Sequence, residues 1–377
     1  MVAKECCGLP LAIITIRRAM ASKVTPQDWK HEIRVLQTCA SNFPDMGHRV
    51  YPLLKYTYDS LPSKIVQSCF LYRSSFPEDF SIYKETLIWT WLCEGFSDEF
   101  DDTDGAKNEG FNIISTLVHA CLLEEPSDTK CVKLHDVVRD MALWITGEMG
   151  EMKGKPLVQT RAALTQAPEF VKWTTTERIS LMDNRIEKLT GSPTCPKLST
   201  LLLDLNSDLH MISNGFFFQF MPSLRVLSLS NTKIVELPSY ISNLVSLQYL
   251  DLSDTEIKKL PTEMKNLVKL KVLNLRSTSN LSSIPQGLIS SLLMLQAVGT
   301  YKCGLYGLVV EGSIESYGNE SLVEELEILK YLTDLSVSIA SAFEFQRFLS
   351  SRKLPSCTLA NCLKMFKGLS SHSTYHL

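Results

Sequence analysis

The 377-residue sequence contains no GxxxxGK(S/T) phosphate loop, no GxSxG elbow, no HExxH pair and no EF-hand loop, so four common site chemistries lack their motif. It also lacks an excess of basic side chains: 38 Lys and Arg stand against 41 Asp and Glu, a net charge of −3. A chain holding nucleic acid across its surface needs a basic excess or stripe, and this one has neither. None of the eleven cysteines forms a CxxC pair, and their odd number argues against a disulfide framework. The nearest approach to a metal cluster, Cys121, Cys131 and His135, has a spacing that fits no common site, which leaves buried structural thiols. No run reaches the ~18 apolar residues that span a bilayer. The apolar run Leu9 to Ile16 follows Lys4 and Glu5 and precedes Arg17-Arg18, the wrong charge order for secretion. Together these absences predict a reducing, cytoplasmic compartment and no membrane span. With 45% apolar residues, 17 glycines and 16 prolines, the chain is composed to fold.

What is present is a repeat. Leu224-Arg-Val-Leu-Ser-Leu-Ser-Asn-Thr-Lys-Ile-Val-Glu-Leu-Pro returns 23 residues later from Leu247, and its LxxLxL start returns again from Leu270. Leucines fall at offsets 0, 3 and 5, an aliphatic at 10 and Leu-Pro at 13 and 14; in the third copy Leu281, Ile284 and Pro285 come one step late. Weaker copies place Ile179, Leu181, Ile186 and Leu189 upstream, then Leu198, Leu201 and Leu203, with Leu295, Val298, Leu332, Leu335 and Val337 downstream. This is leucine-rich-repeat spacing, in which a short strand turns its leucines inward and stacking covers what one repeat cannot. The alternate side chains form an inner ladder: Val226, Ser228 and Ser230, then Tyr249, Asp251 and Ser253, then Val272, Asn274 and Arg276. The spacing predicts that this ladder is exposed on a concave face, and as a set it is the candidate partner-binding surface.

The front of the chain has helical periodicity. Thr25-Pro26-Gln27-Asp28 is a helix start, after which Trp29, Ile33, Leu36 and Ala40 share a face. Helices are predicted over 50–60, 65–72 and 85–93, the last ended by Gly95. Residues 94–109 carry seven acids and one lysine and read as a solvated loop leading to a helix near 111–121. Residues 122–134 read as two short strands around Pro126-Ser-Asp, and Asp136 can cap a helix with Val137, Val138, Met141, Ala142 and Ile145 on one face. Helices, a hairpin and a further helix suggest a winged helix. A DNA-binding role is disfavoured because Asn112 to His119 carries no Lys or Arg to meet phosphates.

Five further segments stand in order: Gly8-Leu-Pro-Leu-Ala12, Leu54-Lys-Tyr-Thr-Tyr-Asp-Ser-Leu-Pro62, Cys69-Phe-Leu-Tyr-Arg-Ser-Ser-Phe-Pro-Glu-Asp-Phe80, Trp91-Leu-Cys-Glu-Gly-Phe96 and Leu134-His135-Asp136. Together they resemble the coiled-coil-type plant disease-resistance proteins that join a nucleotide-binding ARC module to leucine-rich repeats, in which the last segment is Met-His-Asp. The resemblance implies an α/β multidomain chain: a helical-bundle remnant of the first ARC subdomain over 1–62 and a winged-helix subdomain over 63–150. A linker over 151–173, a leucine-rich-repeat solenoid over 174–340 and a degraded repeat or tail over 341–377 follow. Because the phosphate loop is missing, it implies a truncated member and no enzyme; ADP or ATP belongs to the full-length family, with none expected in this fragment. Pro10 and His135 match the family's nucleotide-contacting positions. The implied partners are a pathogen effector or a guarded host protein, the winged helix as an intramolecular partner of the repeats, and no nucleic acid; the implied place is the cytoplasm, or the inner face of the plasma membrane through partners. An ATPase switch is the alternative where an upstream nucleotide-binding part exists.

Overall fold

A computed structural model describes residues 10–21, 25–30, 46–96, 103–147, 156–213, 217–281, 283–304, 309–310, 322–339 and 342–365. They divide into two compact units, 1–155 and 156–377. The first contains helices α1 (Pro10–Ala19), α2 (Met46–Asp59), α3 (Lys64–Arg73), α4 (Lys84–Glu94), α5 (Thr103–His119) and α6 (Asp136–Gly147), with strands β1 (Ile82–Tyr83) and β2 (Cys131–Val132). The predicted start at Thr25 is a reciprocal capping box: Asp28 N donates to Thr25 Oγ1 and Thr25 N to Asp28 Oδ2, both at 3.1 Å. Trp29 is exposed, and Ile33, Leu36 and Ala40 lie outside the described residues. In α3, Ser63 Oγ accepts from Val66 N at 3.2 Å. Helix α4 stops at Gly95, whose φ of 85° is left-handed, with Phe96 N returning to Trp91 O as in a Schellman end.

Two expectations for this unit change. The acidic stretch is not loop throughout, because α5 begins at Thr103 with Asp104 in its first turn, where the helix dipole favours a carboxylate. Gly110 admits α4 against this helix: a Cβ there would sit 2.6 Å from Ile88 Cγ2. The hairpin over 122–134 is reduced to one antiparallel bridge between Glu124 and Lys133, and β2 pairs instead with β1. Two-residue strands carry too little alternation to be read from sequence.

The second unit is a solenoid. Strands β3 (Leu157–Val158), β4 (Arg178–Ser180), β5 (Thr200–Leu202), β6 (Val226–Ser228), β7 (Tyr249–Asp251), β8 (Val272–Asn274), β9 (Ala297–Gly299), β10 (Asp334–Ile339) and β11 (Thr358–Met365) form one nine-stranded sheet in chain order. All its pairings are parallel. Leu201, Leu227, Leu250, Leu273, Val298 and Leu335 occupy one row of the register and are buried. Ile179, Leu181, Ile186 and Leu189 are likewise buried, as the weaker upstream copy predicted. Between strands, the chain returns through short 3-10 turns such as Ser239–Asn243 and Thr262–Asn266, each following the Leu-Pro pair.

The solenoid is longer at both ends than its repeats announce. The stretch 151–173, expected as a linker, supplies β3, and Trp173 is wholly buried against Phe170 and Phe217 at centroid distances of 5.2 and 6.3 Å. These rings fill the end of an apolar column that no earlier rung covers. The stretch 341–377, expected as a degraded tail, holds helices over Ala342–Ser350 and Leu354–Cys357 and then β11, because Phe348 and Leu354 continue the core after the leucine spacing fades.

Rungs are also tied by polar side chains. Asn184 Oδ1 accepts from Ala162 N (2.9 Å) and Leu164 N (3.1 Å), while its Nδ2 donates to Gln159 O (2.7 Å) and Leu181 O (3.0 Å). Asn206 reaches Ile186 N, Leu181 O and Leu203 O in the same way. At the equivalent position of the next three rungs stand Thr232, Thr255 and Thr278, each donating to a carbonyl three residues earlier in its own rung. Leu250→Ala should cost about 2–5 kcal/mol, because neighbouring rungs hold the walls of the cavity apart. Urea unfolding followed by tryptophan fluorescence checks it, against a control such as Lys258→Ala, an exposed side chain, which should leave the curve within ~0.5 kcal/mol.

Candidate protein-binding face of the solenoid

The inner ladder lies where the repeat predicted, on the face opposite the inward leucines, but it is less open than predicted. Val226, Ser228, Tyr249, Asp251, Ser253 and Val272 are buried, with exposures between 0 and 7%; only Ser230, Asn274 and Arg276 are half-buried. The cause is lateral packing. Rungs about 4.8 Å apart bring equivalent side chains into contact, and here most of them hydrogen-bond.

Asp251 is the hub. Its Oδ1 accepts from Ser253 N (2.9 Å) and Ser253 Oγ (2.6 Å), and its Oδ2 from Tyr249 Oη (3.1 Å) and, one rung on, Asn274 Nδ2 (2.9 Å). Ser230 and Ser253 hydroxyls meet at 3.0 Å. Arg276 crosses a whole rung: its Nε donates to Ser336 Oγ at 2.8 Å, passing over Gly299, where a Cβ would lie 2.8 Å from Asn274 Oδ1 and 3.2 Å from Arg276 Cγ. Glycine is therefore required at 299 for close approach.

Sequence reasoning missed Asp204, one rung before Ser230. Ser228 Oγ donates to its Oδ1, while its Oδ2 is enclosed and has no hydrogen-bond partner among the described residues. Burial, reinforced by the charge of Asp251, pushes this carboxyl up to about 7, against the hydrogen bond from Ser228. The available signal was its place two residues after Leu202, in the same row as Ser230 and Ser253. Also unread were the residues that close each rung in a left-handed conformation without glycine: Asp183, Leu205, Asn231, Asp254, Ser277 and Lys302, with φ between 54° and 61°.

The two nucleotide-matched positions lie in the first unit. Pro10 opens α1, in the first turn where proline is preorganised, and its side chain lies outside the described residues. His135 precedes α6; its Nδ1 lies against Asp136 Oδ1 and 3.3 Å from Val137 N, which also donates to Asp136 Oδ1 at 2.6 Å. The helix start thus already faces a carboxylate. One imidazole beside it does not make a donor set that fits a polyphosphate. Elsewhere in this unit Arg73 is fully buried, donates to Phe80 O and lies over the Phe76 ring, while Arg139 Nε donates to Phe76 O at 2.8 Å. Burial and the charge of Arg139 pull the Arg73 guanidinium down to about 9, leaving it charged at neutral pH.

Cys69, Cys93, Cys131, Cys195 and Cys303 are buried, and among the described residues none of them forms a disulfide. Among the described residues no three His, Cys, Asp or Glu gather as a metal site, and no helix is long and apolar enough to cross a membrane.

The geometry defines a class, a winged-helix unit followed by a leucine-rich-repeat solenoid. Comparison with known proteins agrees: a disease-resistance winged-helix domain model matches residues 76–142 and a leucine-rich repeat region model matches 195–371. The chain is 43% identical over 364 residues to the probable disease resistance protein At1g15890 of Arabidopsis thaliana, covering 96% of this chain and 41% of the relative. From the same organism, disease resistance protein SUMM2 is 48% identical over 246 residues (65% of this chain, 27% of the relative), and disease resistance protein RPS5 is 41% identical over 358 residues (94% and 39%). Over nearly all of its own length the chain is similar to plant disease-resistance proteins, with a winged-helix match followed by a leucine-rich-repeat match. It spans less than half the length of these relatives.

Asp204 makes the solenoid pH-sensitive. Its folded pKa lies above the ordinary carboxylate value, so the folded state keeps a proton that the unfolded chain loses between about pH 4 and 7; stability falls as pH rises through that window and is level above it. Asp204→Asn should flatten the fall and stabilise the solenoid at pH 8 by on the order of 1 kcal/mol, a figure discounted because the residue is only half-buried. Melting curves at pH 5 and pH 8 check this. Gly299→Val should displace Arg276 from Ser336, so that Ser336→Ala destabilises the parent but adds less than ~0.5 kcal/mol in the Gly299→Val background, as read by chemical denaturation.

Proposed function

We propose that the chain is part of a plant immune receptor that works by recognising another protein rather than by catalysis, with the concave face of the solenoid as its contact surface. The partner is a segment of a pathogen effector or of a host protein that the receptor guards, met in the cytoplasm. The observation that carries this reading is the Arg276 arrangement: a half-buried cation held across Gly299 by Ser336, beside half-buried Asn274 and Ser230, on a nine-stranded parallel sheet. Side chains fixed before contact lose little entropy on binding. The hydrogen-bonded floor of Asp251, Tyr249 and Ser253 supports those groups and is not itself the contact. Similarity to disease-resistance proteins supports the biological setting.

Conversion of Asn274 or Ser230 to the photo-crosslinking residue p-benzoylphenylalanine, in the chain expressed in pathogen-challenged leaf tissue, tests the assignment. A discrete adduct identified by mass spectrometry as an effector or host protein is expected at both positions. None is expected from Glu263, an exposed position on the return segment. Equal adducts at all three positions, or none on the sheet, count against the concave face.

A further inference from the structure

One edge of the solenoid carries a pattern that packing does not account for. Each rung enters its strand through a four-residue turn, closed by Leu198 N to Cys195 O (3.3 Å), Leu224 N to Met221 O (3.2 Å), Leu247 N to Leu244 O (2.9 Å), Leu270 N to Leu267 O (2.9 Å) and Leu295 N to Leu292 O (3.0 Å). The end residues of these turns are buried. Their second position faces outward and is filled in turn by Pro196, Pro222, Val245, Val268 and Leu293, with Lys330 at the same place before Leu332. Proline is what such a position prefers, and lysine is tolerated, so the turn itself does not call for an aliphatic. Yet Val245, Val268 and Leu293 are 51, 57 and 56% exposed, on three consecutive rungs. The strands they feed pair in register, Tyr249 with Val272 and Val272 with Ala297, which sets the three side chains in a row at the rung spacing of about 4.8 Å. Met294 and Tyr331, at the third position of their turns, are also exposed beside the row.

The charges on the six rungs from Pro196 onward are of one sign; the rung before them, turned by Thr176 N to Trp173 O, carries Glu177 at the place of Arg225 and Lys271. The segments 196–199, 222–225, 245–248, 268–271, 293–296 and 330–333 contain Lys197, Arg225, Lys269, Lys271 and Lys330, and no Asp or Glu. The opposite edge, where the strands end, is of mixed sign: Asp183 and Asp208 pair with Arg161 and Lys233, beside Asp254 and Glu256. An exposed apolar row with a polar border marks an interaction site, and the charges beside Val245, Val268 and Leu293, those of Arg225, Lys269 and Lys271, select for carboxylates.

We propose that this edge docks an amphipathic helix of a partner protein whose apolar stripe is flanked by Asp and Glu. An α-helix presents a side chain to one line about every 5 Å, at i, i+3 or i+4, and i+7, which matches the rung spacing; an extended strand repeats near 7 Å and does not. Anionic membrane is the competing occupant for a basic apolar surface. Two of the three row residues are valines, whose short side chains penetrate little, where interfacial anchors are Trp, Phe and Leu. The edge is separate from the concave face, so failure of either assignment leaves the other standing.

The test uses the whole chain and fluorescence anisotropy with a labelled synthetic helix of about 18 residues, leucine at i, i+4 and i+7 and glutamate beside them, and a twin with lysine for glutamate. The glutamate helix should bind at least about tenfold more tightly than its twin. The Val245→Ser, Val268→Ser, Leu293→Ser triple variant should lose at least about tenfold while its melting temperature stays at the parent value. Lys269→Glu with Lys271→Glu, at surface positions that tolerate change, should reverse the preference between the two helices. Equal binding of the helices by the parent, or no effect of the double charge reversal, overturns the proposal. So does sedimentation with vesicles of about 30% phosphatidylserine that depends on the three aliphatics and is not competed by the glutamate helix.

Discussion

The constraint on which everything else rests is lateral: an inward leucine must meet the leucine of the next rung. Leu227, Leu250 and Leu273 stand in register on β6, β7 and β8, and no single repeat can enclose its own share of apolar surface. Once that row is satisfied, the opposite row is forced into contact as well. The ladder of Ser228, Tyr249, Asp251 and Asn274 is therefore packed side by side, and a surface that leucine spacing alone describes as free becomes a hydrogen-bonded floor from which only a few groups project.

The middle of the solenoid was legible because its period is strict: three copies starting at Leu224, Leu247 and Leu270 fix strand, return and inward face at once. The ends were not, because the residues closing the column are aromatic and obey no repeat. Trp173, Phe170 and Phe217 do at one end, by bulk, what leucines do elsewhere, and Phe348 and Leu354 do so at the other. In the first unit, helix ends were readable where a residue has a specific job, as at Thr25 with Asp28 and at Gly95. The pairing of β1 with β2 was not, since two residues hold too little pattern to choose a partner.

The candidate contact face was half legible. Its position followed from strand alternation; its openness did not, because exposure depends on neighbours in the next rung, some 23 residues away in sequence. Asp204 illustrates the gap: nothing local distinguishes it from a solvated aspartate, and only the rungs beside it make its carboxyl difficult to ionise. Arg276 likewise needs a glycine one rung on and a serine two rungs on to lie where it does.

The polar ties between rungs have a mechanical consequence. Asn184 and Asn206 each clamp two turns of the coil together with three or more hydrogen bonds, whereas the hydroxyls of Thr232 and Thr255 each brace one turn internally and that of Thr278 also meets the Cys303 thiol one rung on. A coil so constructed is a spring of uneven stiffness, rigid at its first coils and more compliant beyond them. Under tension, or when a bound protein bends it, the strain collects in the coils of Thr232 and Thr255, ahead of the rung whose Asn274 and Arg276 are tied across to Asp251 and Ser336.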